Sequence, residues 1–185
     1  MALFTLEQLA SYVQSDVDTA TATLVRTMAE GTVTNYTGQF IEAATYTHTL
    51  AVASNRTIRI PQRPVTDVTS VTVDGTTLTV DDEWTWDGIG DTVVLSITPT
   101  DAWVATVVYD AGYATIPDDV MAVALAVAGR LYNHTPGVIS ESIDDYRAQY
   151  ASSDPAGLLD GEMRILRRYK QRLGSIAPTA SPGVA

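Results

Sequence analysis

The chain has 185 residues, 45% of them hydrophobic, a net charge of −11 and no cysteine. This composition predicts a folded domain with a core of ordinary size, and it excludes disulfides, thiolate metal sites and cysteine nucleophiles. Residues 1–163 carry all 22 acids and six basic residues, a net charge of −16, whereas residues 164–172 carry five basic residues and no acid. An acidic body argues against wrapping nucleic acid, because phosphate binding needs cations. It is compatible with a surface past which DNA slides without sticking, and acidity that serves only solubility is an equally weighted alternative.

The N-terminal part predicts two helices. Thr5, followed three residues later by Gln8, fits a capping box at the start of the first helix. The segment before it has no basic region, so we expect no signal peptide. A second helix is expected to start near Asp16 or Asp18 and to continue to about Tyr36, with one apolar stripe at helical spacing facing the core. The residues of that stripe are Ala20, Leu24, Met28 and Ala29.

From residue 42 to residue 113 the sequence becomes rich in threonine and valine at alternating positions, which predicts antiparallel strands. The strongest local signal is Asp74-Gly75 between two alternating runs, which predicts a tight hairpin. Further strands are expected at residues 45–52, 56–60, 92–98 and 103–109. Three tryptophans, Trp84, Trp86 and Trp103, are expected to cover the core of this sheet, with a ligand platform as the weaker alternative.

The chain is organised around a helix predicted at residues 116–133. Pro117 suits the first helical turn, and Asp118 and Asp119 place negative charge at the positive end of the helix dipole. Residues 120–129 are all apolar or glycine, so we expect this helix to be buried within the protein on every side. The apolar run is far too short to span a bilayer.

The C-terminal part begins with a polar segment, residues 137–150, that we expect to be irregular. A last helix is expected at residues 158–173, with one apolar face and its basic residues near the end where cations are favoured. These basic residues are Arg164, Arg167, Arg168, Lys170 and Arg172. Residues 174–185 are rich in proline, alanine, serine and glycine and predict a flexible tail.

No motif of a common catalytic or nucleotide-binding site occurs in the sequence. The acids Asp81, Asp82, Glu83, Asp87 and Asp91 suggest calcium, but they lack EF-hand spacing, and a solvated loop is the preferred interpretation. His134 follows the central helix and is interpreted as a partner of its C-terminal end. We therefore expect no enzymatic activity, no cofactor and no metal.

Several stretches, in this order, resemble the head-to-tail connector (adaptor) proteins of tailed bacteriophages, the neck rings that dock onto the portal. They are residues 5–13, residues 64–75 with Asp-Gly at their end, and residues 109–143, which begin Tyr109-Asp110-Ala111-Gly112-Tyr113. A closing Gly157-Leu158-Leu159 and Leu166-Arg167-Arg168-Tyr169 are similar to the last helix of the family. The resemblance covers residues 5 to about 173 and departs at Asp144-Asp145, where relatives tend to have Gly-Asp.

The expected fold class is α+β. A small helical bundle surrounds the central helix, with an inserted antiparallel β-rich subdomain and a C-terminal helix plus extended tail. In this interpretation residues 1–173 form a connector domain and residues 174–185 its tail. The helical parts are residues 5–37, 116–133 and 158–173, and the β insertion is residues 42–113.

The resemblance implies a structural virion protein that forms a ring, expected to be a dodecamer, and extends the DNA channel. The implied partners are the portal protein, further copies of this chain, and a head-closure (stopper) or tail-terminator protein. DNA would pass through the lumen without sequence-specific binding, and no membrane is involved. The implied location is the virion neck, after assembly in the host cytoplasm.

Two sets of residues are the candidate sites. We expect portal binding at Arg164, Arg167, Arg168, Lys170 and Arg172, and we name Glu141, Asp144 and Asp145, with the 81–83 loop, as candidates to line the lumen. The alternative function is a β-rich extracellular ligand-binding module that uses exposed tryptophans, Trp84 and Trp86. A carboxylate-based hydrolase is a weaker third possibility.

Overall fold

The computed structural model describes residues 2–98, 104–133 and 157–171, together with the backbone of two strands at 140–143 and 146–149. The chain divides into two compact units. We call Met1–Tyr36 with Pro117–Arg168 the helical unit, and Thr37–Ile116 with Tyr169–Ala185 the β unit. The helices and the antiparallel strands confirm the predicted α+β class.

The described elements, in chain order, are α1 (Leu6–Val13), α2 (Thr19–Thr37), β1 (Ala44–Ala51), β2 (Thr57–Arg59), β3 (Val65–Val73), β4 (Thr76–Thr77), β5 (Trp84–Trp86), β6 (Thr92–Leu95), β7 (Val104–Ala111), α3 (Asp118–Asn133), β8 (Ser140–Ile143), β9 (Tyr146–Gln149) and α4 (Asp160–Leu166), which continues into one 3-10 turn (Arg167–Tyr169).

Helix α1 begins with the predicted capping box. The Thr5 hydroxyl accepts the Gln8 backbone N–H at 3.1 Å, and the Gln8 side-chain oxygen accepts the Thr5 N–H at 2.7 Å. The helix then lies close to α3 at Gly129, where an added Cβ would stand only 2.7 Å from the Tyr12 ring. A small residue at position 129 therefore lets the two helices approach.

Helix α2 has the predicted position but not the predicted orientation. Its buried residues are Ala22, Val25, Ala29 and Val33, which recur at intervals of three or four. Of the predicted core stripe only Ala29 is buried, whereas Ala20, Leu24 and Met28 are exposed. The prediction was wrong because the helix carries two apolar stripes, and periodicity alone does not decide which one faces the core.

Helix α3 is buried on one face rather than around its whole girth, which corrects the prediction. The buried residues are Val120, Val123, Ala124, Val127, Ala128 and Gly129. Ala122 is exposed, and Leu125 and Leu131 are only half-buried. The residues at i, i+3, i+4 and i+7 thus contact the core, as in an ordinary amphipathic helix, although the opposite face is also apolar.

The β unit contains a four-stranded sheet with the order β1-β7-β3-β4 and a three-stranded sheet with the order β2-β6-β5, all antiparallel. The predicted hairpin is confirmed: Asp74 and Gly75 join β3 to β4 with φ angles of 51° and 77°, as a primed turn requires. The apolar residues of both sheets form one core, which includes Ile58, Val71, Val93, Val107 and Tyr109.

Two hairpin segments were missed by the sequence analysis. Strand β5 lies inside the acidic stretch that we expected to be a solvated loop, because charges on both sides hide the alternation of Trp84-Thr85-Trp86. Strands β8 and β9 pair from Ser140↔Gln149 to Ile143↔Tyr146, in a segment that we expected to be irregular because it is so polar.

Candidate functional site

The predicted basic residues lie on and after the short helix α4. This helix begins at Asp160 and ends in a 3-10 turn at Tyr169, so it is shorter than the predicted 158–173. Arg164, Arg167 and Arg168 are exposed and are spaced i, i+3, i+4, which places them on one side of the helix. We call these three residues the arginine face. Lys170 is exposed in the β unit, and Arg172 lies outside the described residues.

One member of the arginine face pairs with an acid of its own chain. The Arg168 guanidinium lies 3.4 Å from the Asp119 carboxylate at the start of α3, and the arginine side chain is 66% exposed. An ion pair this exposed contributes at most about 1 kcal/mol. A partner carboxylate with better geometry can therefore compete for this arginine.

The helix that carries the arginine face is held by a half-buried ion pair. Arg130, in the last turn of α3, donates to both carboxylate oxygens of Glu162 at 2.6 and 2.9 Å and to the carbonyl of Gly157 at 3.0 Å. The second Glu162 oxygen also accepts the backbone N–H of Leu159 at 2.9 Å, just before α4 begins. This bidentate pair fixes α4 to α3 in one orientation. We call it the α3–α4 clamp.

The electrostatics of the clamp follow from its geometry. Burial raises the pKa of Glu162, but the hydrogen bonds from Arg130 and the Leu159 backbone outweigh burial, so the pKa lies below its ordinary value of 4.5. The hydrogen bond to Glu162 raises the pKa of Arg130 above its ordinary value, so the pair stays ionised at neutral pH. Sequence reasoning missed this pair, because nothing in the sequence connects residues 32 positions apart.

Replacing Arg130 by methionine should lower the free energy of unfolding by about 2–3 kcal/mol at pH 7, because a half-buried carboxylate loses its partner. Since the pKa of Glu162 is lower in the folded chain than in the unfolded chain, this stabilisation is present above about pH 4.5 and is lost as the pH falls. Urea unfolding at pH 7 and pH 3 tests both points. The exposed Arg164→Met is the control, with an expected loss under about 0.5 kcal/mol; equal losses in the two variants would contradict the clamp.

The candidate lumen acids are only partly described. Glu141 lies in β8 opposite Ala148, whereas Asp144 and Asp145 lie outside the described residues. In the β unit, Asp81 and Asp82 are exposed, and the Glu83 carboxylate accepts the Thr79 N–H at 2.7 Å. These positions stay candidates for a surface that faces DNA.

The other acids of the suggested calcium cluster have structural partners. The Asp87 carboxylate accepts the backbone N–H groups of Gly90 and Ile89 at 2.7 and 3.1 Å, which lowers its pKa. Asp91 forms an ion pair with Arg63. Within residues 2–98, 104–133 and 157–171, no group of three or more His, Asp or Glu is placed to hold a metal ion.

Two of the three tryptophans, Trp84 and Trp86, are part of the core, as the preferred interpretation predicted. Trp84 is buried and donates its indole N–H to the Leu78 carbonyl at 3.3 Å. Trp86 is half-buried against the same core and donates to the Gly90 carbonyl at 2.8 Å. The alternative of a ligand-binding module with exposed tryptophans is therefore wrong for these two residues. Trp103 lies outside the described residues.

A buried polar cluster in the four-stranded sheet was not foreseen. His48 is 5% exposed, and its Nδ1 lies 2.9 Å from the Tyr109 hydroxyl, while Tyr46 stacks against His48. Burial lowers the pKa of His48 and raises the pKa of Tyr46 to about 12. The alternation Tyr46-Thr47-His48 in β1 is the one signal that could have placed His48 inside. These groups lie within the core and are not exposed to a substrate.

Comparison with known proteins identifies the fold. No family model and no curated protein matches the sequence. A chain from the neck of an empty gene transfer agent (GTA) particle, computed with C6 symmetry, is similar with a TM-score of 0.55 at 15% identity, over 95% of this chain and 94% of that chain. A chain from the neck of a native GTA particle, computed with C12 symmetry, gives a TM-score of 0.57 at 16% identity, over 91% and 92%.

This chain therefore has the fold of a phage-like neck protein over almost its whole length, which confirms the predicted resemblance at the level of the fold. In the part of the chain that the structure describes, no helix has both the length and the apolarity to span a bilayer.

Proposed function

We propose that this chain is a structural neck protein of a tailed, phage-like particle and joins the head to the tail. The observation that carries this proposal is the fold similarity to chains from two particle necks, which extends over more than nine tenths of both chains compared. The role is mechanical rather than enzymatic. The burial of His48, the one histidine among the described residues, supports this, because histidine is the side chain most often used for acid–base catalysis.

Copies of the chain form a closed ring, with twelve as the expected number. The C12 and C6 symmetries with which the similar necks were computed support this number, since six is a divisor of twelve. In such a ring each contact is heterologous, so that one surface of a copy meets a different surface of the next copy. DNA passes through the centre, and a head-closure (stopper) or tail-terminator protein occupies the side away from the portal.

The portal contact is made by the arginine face and the residues that follow it, including Lys170, Arg172 and the tail at 174–185. Three observations support this placement: the three arginines are exposed, they lie on a common side of the helix, and they carry positive charge in an otherwise acidic chain. A guanidinium pairs with carboxylates through two parallel hydrogen bonds, which suits docking at a defined angle. The clamp holds α4 in place, so that the helix that positions these arginines needs little rearrangement when they bind.

Reversing Arg164 and Arg167 to glutamate should weaken binding to the portal at least 100-fold, because each lost charge-assisted contact is worth roughly 1.5–3 kcal/mol. Arg168 is left in place, since a glutamate there would repel Asp119. Binding is measured by sedimentation of the chain with purified portal rings. The control reverses Arg56, an exposed base of the β unit, and should bind like the parent. Arg59 is left in place, since a glutamate there would repel Asp91. Equal weakening by both variants would mean that only net charge matters.

The lumen is lined mainly by carboxylates, with contributions from Glu141, Asp144, Asp145 and the 81–83 loop. The net charge of −16 over residues 1–163 supports this, because a basic lumen would bind phosphates and slow the passage of DNA. The isolated protein should therefore bind duplex DNA only weakly at physiological salt, with a dissociation constant above about 1 μM in a fluorescence anisotropy titration. Submicromolar binding would contradict the proposal.

A further inference from the structure

Helix α2 has a second apolar stripe that does not contact the core of its own chain. Ala20, Leu24 and Met28 are spaced four residues apart, and at 3.6 residues per turn they lie together, opposite the buried Ala22, Val25, Ala29 and Val33. Leu24 is 61% exposed and Met28 is 44% exposed. We call Ala20, Leu24 and Met28 the α2 stripe. A helix that is apolar on two opposite faces is typical of a helix packed on both sides.

The exposed positions of α2 itself carry no charge. The exposed positions of α2 are Thr19, Ala20, Thr21, Thr23, Leu24, Thr27, Met28 and Asn35. The two charged residues of the helix, Arg26 and Glu30, lie toward its buried side and face each other at 3.9 Å, and Glu30 also accepts the Leu3 N–H at 3.0 Å.

The threonines beside the stripe have already satisfied their hydroxyl donors. Thr23 donates to the Thr19 carbonyl at 2.7 Å, Thr27 donates to the Thr23 carbonyl at 3.0 Å, and Thr32 donates to the Met28 carbonyl at 3.0 Å. Burying these side chains against another protein would therefore leave no unmet donor, which removes the main cost of covering polar groups. These three side chains can therefore be covered by another protein without breaking a hydrogen bond.

We infer that the α2 stripe is the surface through which one copy of this chain packs against the next copy in the ring. This inference rests on the proposed function. Charge favours a second copy as the occupant: two copies share the same acidic body, and like charges facing each other across an interface cost several kcal/mol, so a face without charge is one at which two copies can approach. A partner that recognised this chain through opposite charge would use the acidic body or the arginine face, and neither feature occurs on α2.

The first experiment removes the stripe. Leu24→Glu with Met28→Glu should leave the isolated chain folded, because both side chains are exposed, but should lower the yield of rings on purified portals at least ten-fold in electron micrographs. The matched control is Val80→Glu with Ile89→Glu, which also replaces two exposed apolar residues, 55% and 88% exposed, but in the β unit. The control should form rings like the parent.

The outcomes of this experiment distinguish a failure of the inference about the α2 stripe from a failure of the proposed function. If the parent forms rings and the stripe variant forms them equally well, the inference is wrong and the proposed function stands. If the parent forms no ring, the proposed function fails and the inference fails with it. Should the double glutamate variant be unfolded by circular dichroism, Leu24→Gln with Met28→Gln takes its place, with the same expected loss of rings.

A second experiment identifies what covers the stripe. A photoreactive benzoylphenylalanine in place of Leu24 should, after illumination of assembled rings, give a product of twice the chain mass. Mass spectrometry should map the second attachment to a surface other than α2, since a ring contact joins two different surfaces. Attachment to the portal, within the same chain, or to α2 of another copy would overturn the inference.

Discussion

Replacing Val127 by aspartate should prevent the accumulation of soluble, folded protein. Val127 is fully buried in the middle of α3, among Val123, Ala124 and Ala128. A carboxylate at this position would be buried without a partner, at a cost of several kcal/mol that is comparable with the whole stability of an ordinary domain. Soluble yield and the thermal transition measure the effect.

The same helix supplies the control for this variant. Ala122 lies on the exposed face of α3, so Ala122→Asp should be expressed and should unfold like the parent. The comparison separates burial from helix propensity, because both changes introduce aspartate into α3. A folded Val127→Asp chain with an unchanged thermal transition would contradict the described packing of α3.

Replacing Gly112 by alanine should cost about 3–5 kcal/mol of folding free energy, from a backbone clash added to an unfavourable backbone conformation. Gly112 has a φ of +110°, and an added Cβ would stand 2.2 Å from the carbonyl oxygen of Glu42 and 2.7 Å from the backbone nitrogen of Ala43. These are backbone atoms, and the carbonyl of the preceding residue, Ile41, accepts the Tyr113 N–H. The backbone at Glu42 therefore cannot easily move away from an added Cβ.

Gly75→Ala is the matched control for this prediction. Gly75 also has a positive φ, of 77°, but an added Cβ there would meet no atom within 4 Å. Its cost should be only the conformational strain, about 1–2 kcal/mol. Urea unfolding of the two variants measures the difference, and equal losses would show that the contact with Glu42 has no energetic role.

The sequence signals that predicted structure most reliably are those whose interactions are completed within a few residues. The Thr5 capping box and the Asp74-Gly75 hairpin are of this kind. Gly112 is different: it belongs to Tyr109-Asp110-Ala111-Gly112-Tyr113, one of the stretches that carried the resemblance, but the reason why only glycine fits there is a close approach to Glu42, far away in the sequence.

The predictions failed where the answer depended on partners far along the chain. Helix α2 has two apolar stripes, and the choice between them depends on what packs against the helix. Leu125 belongs to the apolar run of α3 but faces away from its most buried side. The Arg130–Glu162 clamp and the pairing of His48 with Tyr109 join residues that no local pattern connects.

The candidate site was predicted only in part, because the sequence shows its charge but not its contacts with residues far along the chain. The charge reversal near the C-terminus is a property of composition, and it located Arg164, Arg167 and Arg168 on an exposed surface. The sequence did not reveal that Arg168 already pairs with Asp119. It also did not reveal that Glu162 of α4 forms a half-buried ion pair with Arg130 of α3. Those contacts decide how the arginine face is oriented, and the portal contact itself stays a proposal.

The central claim is that the chain forms a ring on a portal, and cryo-electron microscopy of the purified chain mixed with purified portal rings tests it most directly. We expect an additional ring of density stacked on one face of the portal, with twelve-fold symmetry and with α4 nearest the portal. Portal particles without added density, at chain concentrations well above those of the portal, would show that the chain does not form this ring.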